Sequence, residues 1–140
     1  MKAEKNNFVS GQDPIKVLVV DDLERVRTAL RNLLVLKEGI EVIGEAEDGD
    51  EAVQIAETLN PDVVLMDWKM PNMDGLEATK RIKDFQPEIG VVLLTIHNTD
   101  KLKQRARKAG VDEFVAKGID ADLLIESIRK VHRQTLTQKK

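Results

Sequence analysis

The sequence predicts an α/β fold, a doubly wound five-stranded parallel sheet in the order 2-1-3-4-5 with five helices. Three observations carry that expectation. Short apolar runs and amphipathic stretches alternate five times between residues 15 and 133, and parallel strands need such crossovers, which are right-handed. The runs are continuous rather than alternating, as in Val63-Val64-Leu65-Met66, the mark of strands buried on both faces. Two of the runs end in carboxylates, Asp21-Asp22 and Asp67. In the order 2-1-3-4-5, strands one and three are neighbours at the topological switch point, where open α/β sheets bind ligands.

Each element has its own signal. Strand one is the run Ile15-Lys16-Val17-Leu18-Val19-Val20. Helix one follows, with Leu23, Val26, Leu30, Leu33 and Leu34 inward at helical spacing and Arg25, Arg27 and Arg31 on the other side. Gly39 ends it, and Ile40-Glu41-Val42-Ile43-Gly44 is strand two. Asp48 with Glu51 three residues on forms a capping box, opening a helix whose apolar face is Ala52, Val53, Ile55, Ala56 and Leu59. Asn60-Pro61 breaks it and strand three covers 62–66. Asp74 with Glu77 repeats the cap for helix three, which buries Leu76, Ala78, Ile82 and Phe85 and closes at Pro87. Strand four is Val91-Val92-Leu93-Leu94-Thr95. Asn98 or Thr99 caps a strongly charged helix four, and Gly110 stops it. Strand five covers 112–116, and Asp120 opens helix five, with Leu124, Ile125, Ile128 and Val131 inward.

A length of 140 residues fits one domain. Residues 1–13 are polar, lack a signal-peptide core and read as a disordered N-terminal segment. The folded domain is expected over 14–133, with 134–140 a frayed tail or the start of a linker. A net charge of −3 gives no sign of nucleic-acid binding. The absence of cysteine excludes disulfides and thiolate metal sites, and no apolar run approaches the roughly 20 residues of a membrane span. A cytoplasmic protein is expected.

The carboxyl edge of the sheet then offers three carboxylates (Asp21, Asp22, Asp67), the Thr95 hydroxyl and the Lys117 ammonium, each after an apolar run. Crowded like charges need a cation or a proton to coexist. The set suits phosphoryl transfer onto a carboxylate: oxygen ligands for Mg²⁺, Asp67 as nucleophile, Lys117 as a point charge for a phosphoryl oxygen and Thr95 as a hydrogen-bond donor.

At these residues the sequence resembles the receiver domains of two-component response regulators, over roughly residues 15–133. The resemblance rests on Val19-Val20-Asp21-Asp22, on Leu65-Met66-Asp67 followed by Met70-Pro71-Asn72-Met73-Asp74-Gly75, on Leu93-Leu94-Thr95 and on Ala116-Lys117, with spacings of 45, 28 and 22 residues between Asp22, Asp67, Thr95 and Lys117. Together with Ile40-Glu41-Val42-Ile43-Gly44-Glu45-Ala46 it looks most like the NarL/FixJ subgroup. The resemblance implies a flavodoxin-like fold and makes Asp67 the phosphoacceptor. It makes Asp22 a direct Mg²⁺ ligand, Asp21 the holder of metal-bound water and the backbone carbonyl of Lys69 a further ligand. It also makes Thr95 the switch hydroxyl, Lys117 the ionic partner and Phe114 the aromatic switch. The implied partners are a sensor histidine kinase or histidine phosphotransfer protein and a phosphorylation-dependent homodimer, with no nucleic acid contacted through this chain and no membrane. Lys69 and His97 stand at positions that influence how long the phosphoryl group lasts. Ile96 is bulkier than the residue often found there, and Gly118 replaces a common proline.

Competing readings are weaker. An isolated aspartate at a strand end is often only a helix cap, as Asp22 would be for helix one. Trp68 reads as packing beside the site. The basic stretch Lys101, Lys103, Arg105, Arg107, Lys108 reads as a solvated helix face. A haloacid-dehalogenase-type aspartate phosphatase wants a second aspartate where Lys69 stands. A receiver-like interaction module working without phosphorylation usually lacks one of the acidic residues, the hydroxyl or the lysine, and this chain keeps them. NarL/FixJ-like relatives carry a helix-turn-helix domain after the receiver. Little sequence follows helix five here, so a stand-alone receiver and part of a longer regulator both stay open.

Overall fold

A computed structural model of the chain describes residues 13–138. The expected disordered segment therefore lies outside the described residues except for Asp13. The elements run β1 (Ile15–Val20), α1 (Glu24–Val35), β2 (Ile40–Ala46), α2 (Gly49–Leu59), β3 (Val63–Met66), α3 (Gly75–Phe85), β4 (Gly90–Thr95), α4 (Asp100–Ala109), β5 (Glu113–Ala116) and α5 (Ala121–Gln138). The five strands form one sheet in the spatial order β2-β1-β3-β4-β5, and every pairing is parallel. This is the expected 2-1-3-4-5 order.

Successive side chains on a strand point to opposite faces, and the two faces build two cores. Leu18, Val20, Val64, Met66, Val91 and Leu93 pack with Ala52 and Ala56 of α2, Leu76, Ala78 and Ile82 of α3, and Leu102, Ala106 and Ala109 of α4. Val17, Val19, Val63, Leu65, Val92 and Leu94 pack with Leu34 of α1 and Leu124, Ile125, Ile128 and Val131 of α5. Both faces are thus covered, which is why the strands read as unbroken apolar runs. Among the described residues, no helix is long and apolar enough to cross a membrane.

The pairing of β1 with β2 carries one irregularity. Val17 faces Val42, but Leu18 faces Gly44, so Ile43 is an extra residue. A one-residue slip reverses which face every later side chain takes. Val42, before the slip, lies opposite Val17 against the α1/α5 core, and Glu45, after it and opposite Val19, comes to that same face.

The capping signals hold at four helices, Asp120 accepting from the Asp122 N–H at the start of α5. Asp48 accepts from the Glu51 N–H and Glu51 from the Glu47 N–H. Asp74 accepts from the N–H groups of Leu76 and Glu77. Thr99, not Asn98, caps α4 through the Leu102 N–H. Asp22 does not cap α1: its N-cap position is Leu23, with no side-chain cap bond, and it is the Asp21 carboxylate that accepts from the Leu23 N–H.

Several inward expectations are corrected. Leu23, Leu59 and Phe85 are exposed, and Leu34 is the one buried residue of α1. The apolar contact of α1 with the sheet runs through Leu30, Leu33 and Leu34. Helix α5 continues to Gln138 rather than fraying at 134, and Thr135 is buried. Gly90 opens β4 beneath it: a Cβ there would collide with Val131 and lie 3.5 Å from Thr135 Cγ2. The bare backbone lets the last turns of α5 settle onto the sheet.

Candidate functional site

The carboxylates meet because their strands are adjacent. The Asp67 N–H donates to the Val20 carbonyl at 3.0 Å and the Asp21 N–H to the Ala46 carbonyl at 3.1 Å, each extending a strand ladder by one residue. The sheet therefore delivers Asp21 and Asp67 side by side, and both are buried. Asp22, one residue further, is exposed, yet its carboxylate joins theirs. One oxygen from each of the three lies within 4.8 Å of the others.

Lys117 comes from β5 across the edge. Its backbone N–H donates to the Thr95 carbonyl at 2.9 Å, and its ammonium reaches Asp21 Oδ2 at 2.9 Å and Asp67 Oδ1 at 3.2 Å. Burial alone would lower this ammonium, but its bond to Asp21 and the charges of Asp67 and Asp21 overcome that and leave it raised. Burial, with the Asp21 charge beside it, pushes the Asp67 carboxyl from 3.8 to about 6, against the pull of Lys117 and the Trp68 N–H. One ammonium does not offset the desolvation and repulsion of these carboxylates.

The loop after β3 is held in place by its own backbone and side-chain contacts. Asn72 takes a left-handed φ of 70° and donates through Nδ2 to Asp48 at 3.1 Å. The Gly49 N–H donates to the Met73 carbonyl at 3.1 Å, tying the loop to the start of α2. Gly75 N–H donates to the Trp68 carbonyl at 2.8 Å. A Cβ at Gly75 would collide with the Asp67 carbonyl oxygen, so only glycine lets α3 begin this close to the site.

The remaining sequence-predicted residues surround the site. Thr95 is buried at the end of β4 and its hydroxyl oxygen accepts from the His97 N–H at 3.1 Å. Phe114, half-buried on β5, packs on the core under α2–α4, with the Lys103 ammonium 5.6 Å from its ring centre. Lys69 and His97 both gather on Trp68: the ammonium lies 4.5 Å from the ring centre and the imidazole stands edge-on at 5.0 Å. Arg105 of α4 lies 5.8 Å from the same ring. The Trp68 indole N–H is buried without a partner.

Sequence reasoning missed two residues. Arg27, expected on the outer side of α1, is largely buried: its guanidinium donates to the main-chain carbonyl of Asp21 at 2.6 Å and to Glu45 Oε1 at 3.1 Å. Arg31 also pairs with Glu45. Residue 27 sits at helical spacing beside the half-buried Val26 and Leu30, but nothing in that spacing points to its partner Glu45.

The donor set suits a hard cation. Three carboxylate oxygens converge, Asp67 is held above its ordinary ionisation range, and Mg²⁺ takes one or two carboxylates while keeping several waters. Asp21, Asp22 and Asp67 would hold it.

Comparison with known proteins places the chain in a family. The family model "Response regulator receiver domain" matches residues 17–129. Response regulator GacA of Pseudomonas aeruginosa is 43% identical over 117 residues, which are 84% of this chain and 55% of that protein. The chain thus spans about half the length of the curated relatives it matches. A LuxR-family two-component response regulator from Aurantimonas superposes with a TM-score of 0.83 at 29% identity, covering 87% of each chain. The CheX-CheY-BeF3-Mg+2 complex from Borrelia burgdorferi matches with a TM-score of 0.79 at 28% identity, covering 85% of this chain and 90% of that one.

Proposed function

The chain belongs to the response regulator receiver domain family, and from that premise we propose that Asp67 is its phosphoacceptor, served by a Mg²⁺ site at Asp21, Asp22 and Asp67. The Lys69 backbone carbonyl completes that site. The observation that carries the reading is the imbalance of charge at the sheet edge: three carboxylates gather their oxygens within 4.8 Å while one ammonium, Lys117, serves two of them.

The chemistry follows from the residues. At neutral pH a carboxyl near 6 is mostly ionised, so Asp67 is available as a nucleophile. Its free oxygen forms a bond to phosphorus as the bond from phosphorus to the donor's histidine nitrogen breaks, leaving an acyl phosphate and a free imidazole. A bound divalent cation supplies charge neutralisation between anionic donor and anionic acceptor. Lys117 transfers its hydrogen bond from Asp67 to a phosphoryl oxygen. Thr95, whose hydroxyl proton is free to turn while the oxygen accepts from His97, donates to another. Phe114 lies on β5 and Lys117 follows that strand directly, so a move at Thr95 or Lys117 reaches the surface formed by α4, β5 and α5.

The donor is a sensor histidine kinase or a histidine phosphotransfer protein in the cytoplasm, and the altered surface favours a homodimer or another partner. No nucleic-acid contact is assigned to this domain. The Borrelia structure is a complex of CheX and CheY with BeF3 and Mg²⁺, and the shared fold supports a Mg²⁺ site at this sheet edge.

The test follows Trp68 fluorescence, the signal of the only tryptophan, through Mg²⁺ and then acetyl phosphate, with intact mass as the second readout. A saturable Mg²⁺ signal and a phosphoryl adduct that vanishes in Asp67→Asn are expected. An adduct that persists in Asp67→Asn, or no adduct with acetyl phosphate or a phosphorylated kinase, overturns the assignment.

A further inference from the structure

The bulge in β2 has a chemical consequence at the cation site. Without the extra residue Ile43, Glu45 would fall on the α2–α4 face of the sheet; with it, Glu45 faces α1. Bulges commonly re-aim one side chain beside a functional site. There Glu45 receives two guanidinium groups, Arg27 at 3.1 Å and Arg31. Arg27 is the inner of the two, its side chain 13% exposed. With its Nε held by Glu45, its Nη1 is directed at the main-chain carbonyl of Asp21 at 2.6 Å. That carbonyl belongs to the peptide joining Asp21 to Asp22. Asp21 is otherwise fixed by the Leu23 N–H and by Lys117, but Asp22 is exposed, and no side-chain hydrogen bond or ion pair of its own is among those found for the described residues.

We propose that Arg27, held by Glu45 through the β2 bulge, is a positioning residue for the divalent-cation site, setting the Asp21–Asp22 peptide so that Asp22 meets Asp21 and Asp67. Arg27 touches neither the cation nor the phosphoryl group. Its positive charge alone would weaken cation binding; its geometry strengthens it. The two effects have opposite signs, so the measured direction separates them. Partners one step removed from a metal typically change affinity by about 10- to 100-fold, and the lower end fits a residue that acts through a backbone carbonyl.

This inference rests on the Mg²⁺ site proposed above, and the test separates the two. Mg²⁺ alone is titrated against Trp68 fluorescence and against thermal stability in the wild type, Arg27→Ala, Glu45→Gln and Lys83→Ala. Lys83→Ala is a control that breaks the ion pair with Asp112 at the far end of the sheet. The expected result is a Mg²⁺ dissociation constant about tenfold weaker in Arg27→Ala, weaker in Glu45→Gln and unchanged in Lys83→Ala. Acetyl-phosphate labelling of Arg27→Ala should recover at saturating Mg²⁺, which a merely unfolded variant would not do. A wild type that binds no Mg²⁺ overturns the cation site and this inference together. A wild type that binds, with Arg27→Ala equal or tighter, leaves the site standing and overturns the role of Arg27.

Discussion

The two ends of the sheet use the same residue type in opposite ways. At the amino end, Asp62 and Asp112 stand just before β3 and β5. Asp62 accepts from the Lys16 N–H at 2.9 Å. Asp112 accepts from the Val91 N–H and the Lys83 ammonium, both at 2.8 Å. Each is matched to donors and stitches neighbouring strands together. At the carboxyl end, Asp21, Asp22 and Asp67 crowd together and two of them share Lys117. The amino end is electrostatically settled, and the carboxyl end is left short of positive charge. A matched carboxylate stabilises the fold; an unmatched one is available for a cation and a phosphoryl group, at a cost in stability.

The largest effect that separates the ends is chemical. Asp67→Asn should abolish the acetyl-phosphate adduct, while Asp112→Ala should keep it, as read by intact mass at saturating Mg²⁺. Loss of the adduct in both variants would mean that the amino end also shapes the chemistry, and the contrast would fail.

Next in size is the pH dependence of stability without metal. The Asp67 carboxyl sits at about 6 when folded against 3.8 as its ordinary value. The folded state therefore holds this proton more tightly than the unfolded chain. Its contribution is fully present below about 3.8, is lost as pH rises and is gone above about 6. Two units correspond to about 3 kcal/mol. In EDTA, Asp67→Asn should be more stable than wild type at pH 7 by up to that amount, the two should converge as pH falls toward 4, and Mg²⁺ should close the gap at pH 7. Urea unfolding at three pH values checks this. Equal stability at pH 7 would mean that Lys117 already balances the edge.

At the amino end the sign reverses. Asp112→Ala removes two charge-assisted hydrogen bonds and leaves the Val91 N–H unpaired beside the sheet. A loss of roughly 2 kcal/mol is expected, read as a lower urea midpoint, with no change in Mg²⁺ affinity. Stabilisation by this substitution would make the two ends alike.

What could be read from the sequence follows the same division. The strands were legible because burial on both faces makes them continuous apolar runs, and the caps at Asp48, Asp74 and Thr99 because a side chain and an N–H a few residues apart suffice to form them. The convergence of Asp21, Asp22, Asp67 and Lys117 was legible because strand order fixes which ends are adjacent. The bulge at Ile43 was not, since one extra residue leaves no periodic trace in a strand of seven residues. Without the bulge Glu45 has no reason to face α1, and without Glu45 a buried arginine at position 27 looks like an outer-face charge. The end of α5 was misread because Gln134–Lys140 is polar, whereas its anchor, Thr135 over Gly90, is a contact across 45 residues of chain.

The smallest expected effect concerns Trp68, which extends the contrast from charge to hydrogen bonding. Its indole N–H is buried at the carboxyl end without a partner, and such a donor forgoes about 1–3 kcal/mol of solvation. Trp68→Phe removes the orphan donor but also surrenders apolar contact, the Lys69 ammonium over the larger ring and the edge-on contact of His97. The two terms oppose each other, so the net change should stay within about 1 kcal/mol, measured by urea unfolding followed by circular dichroism because the fluorophore is gone. The freed Lys69 and His97 are the more sensitive reporters. If the indole holds them away from Asp67, the phosphorylated form of Trp68→Phe should lose its phosphoryl group at an altered rate, and that change should disappear when Lys69→Ala and His97→Ala are added. A variant destabilised by several kcal/mol would instead make Trp68 a packing residue first, and would place it with the settled parts of the molecule.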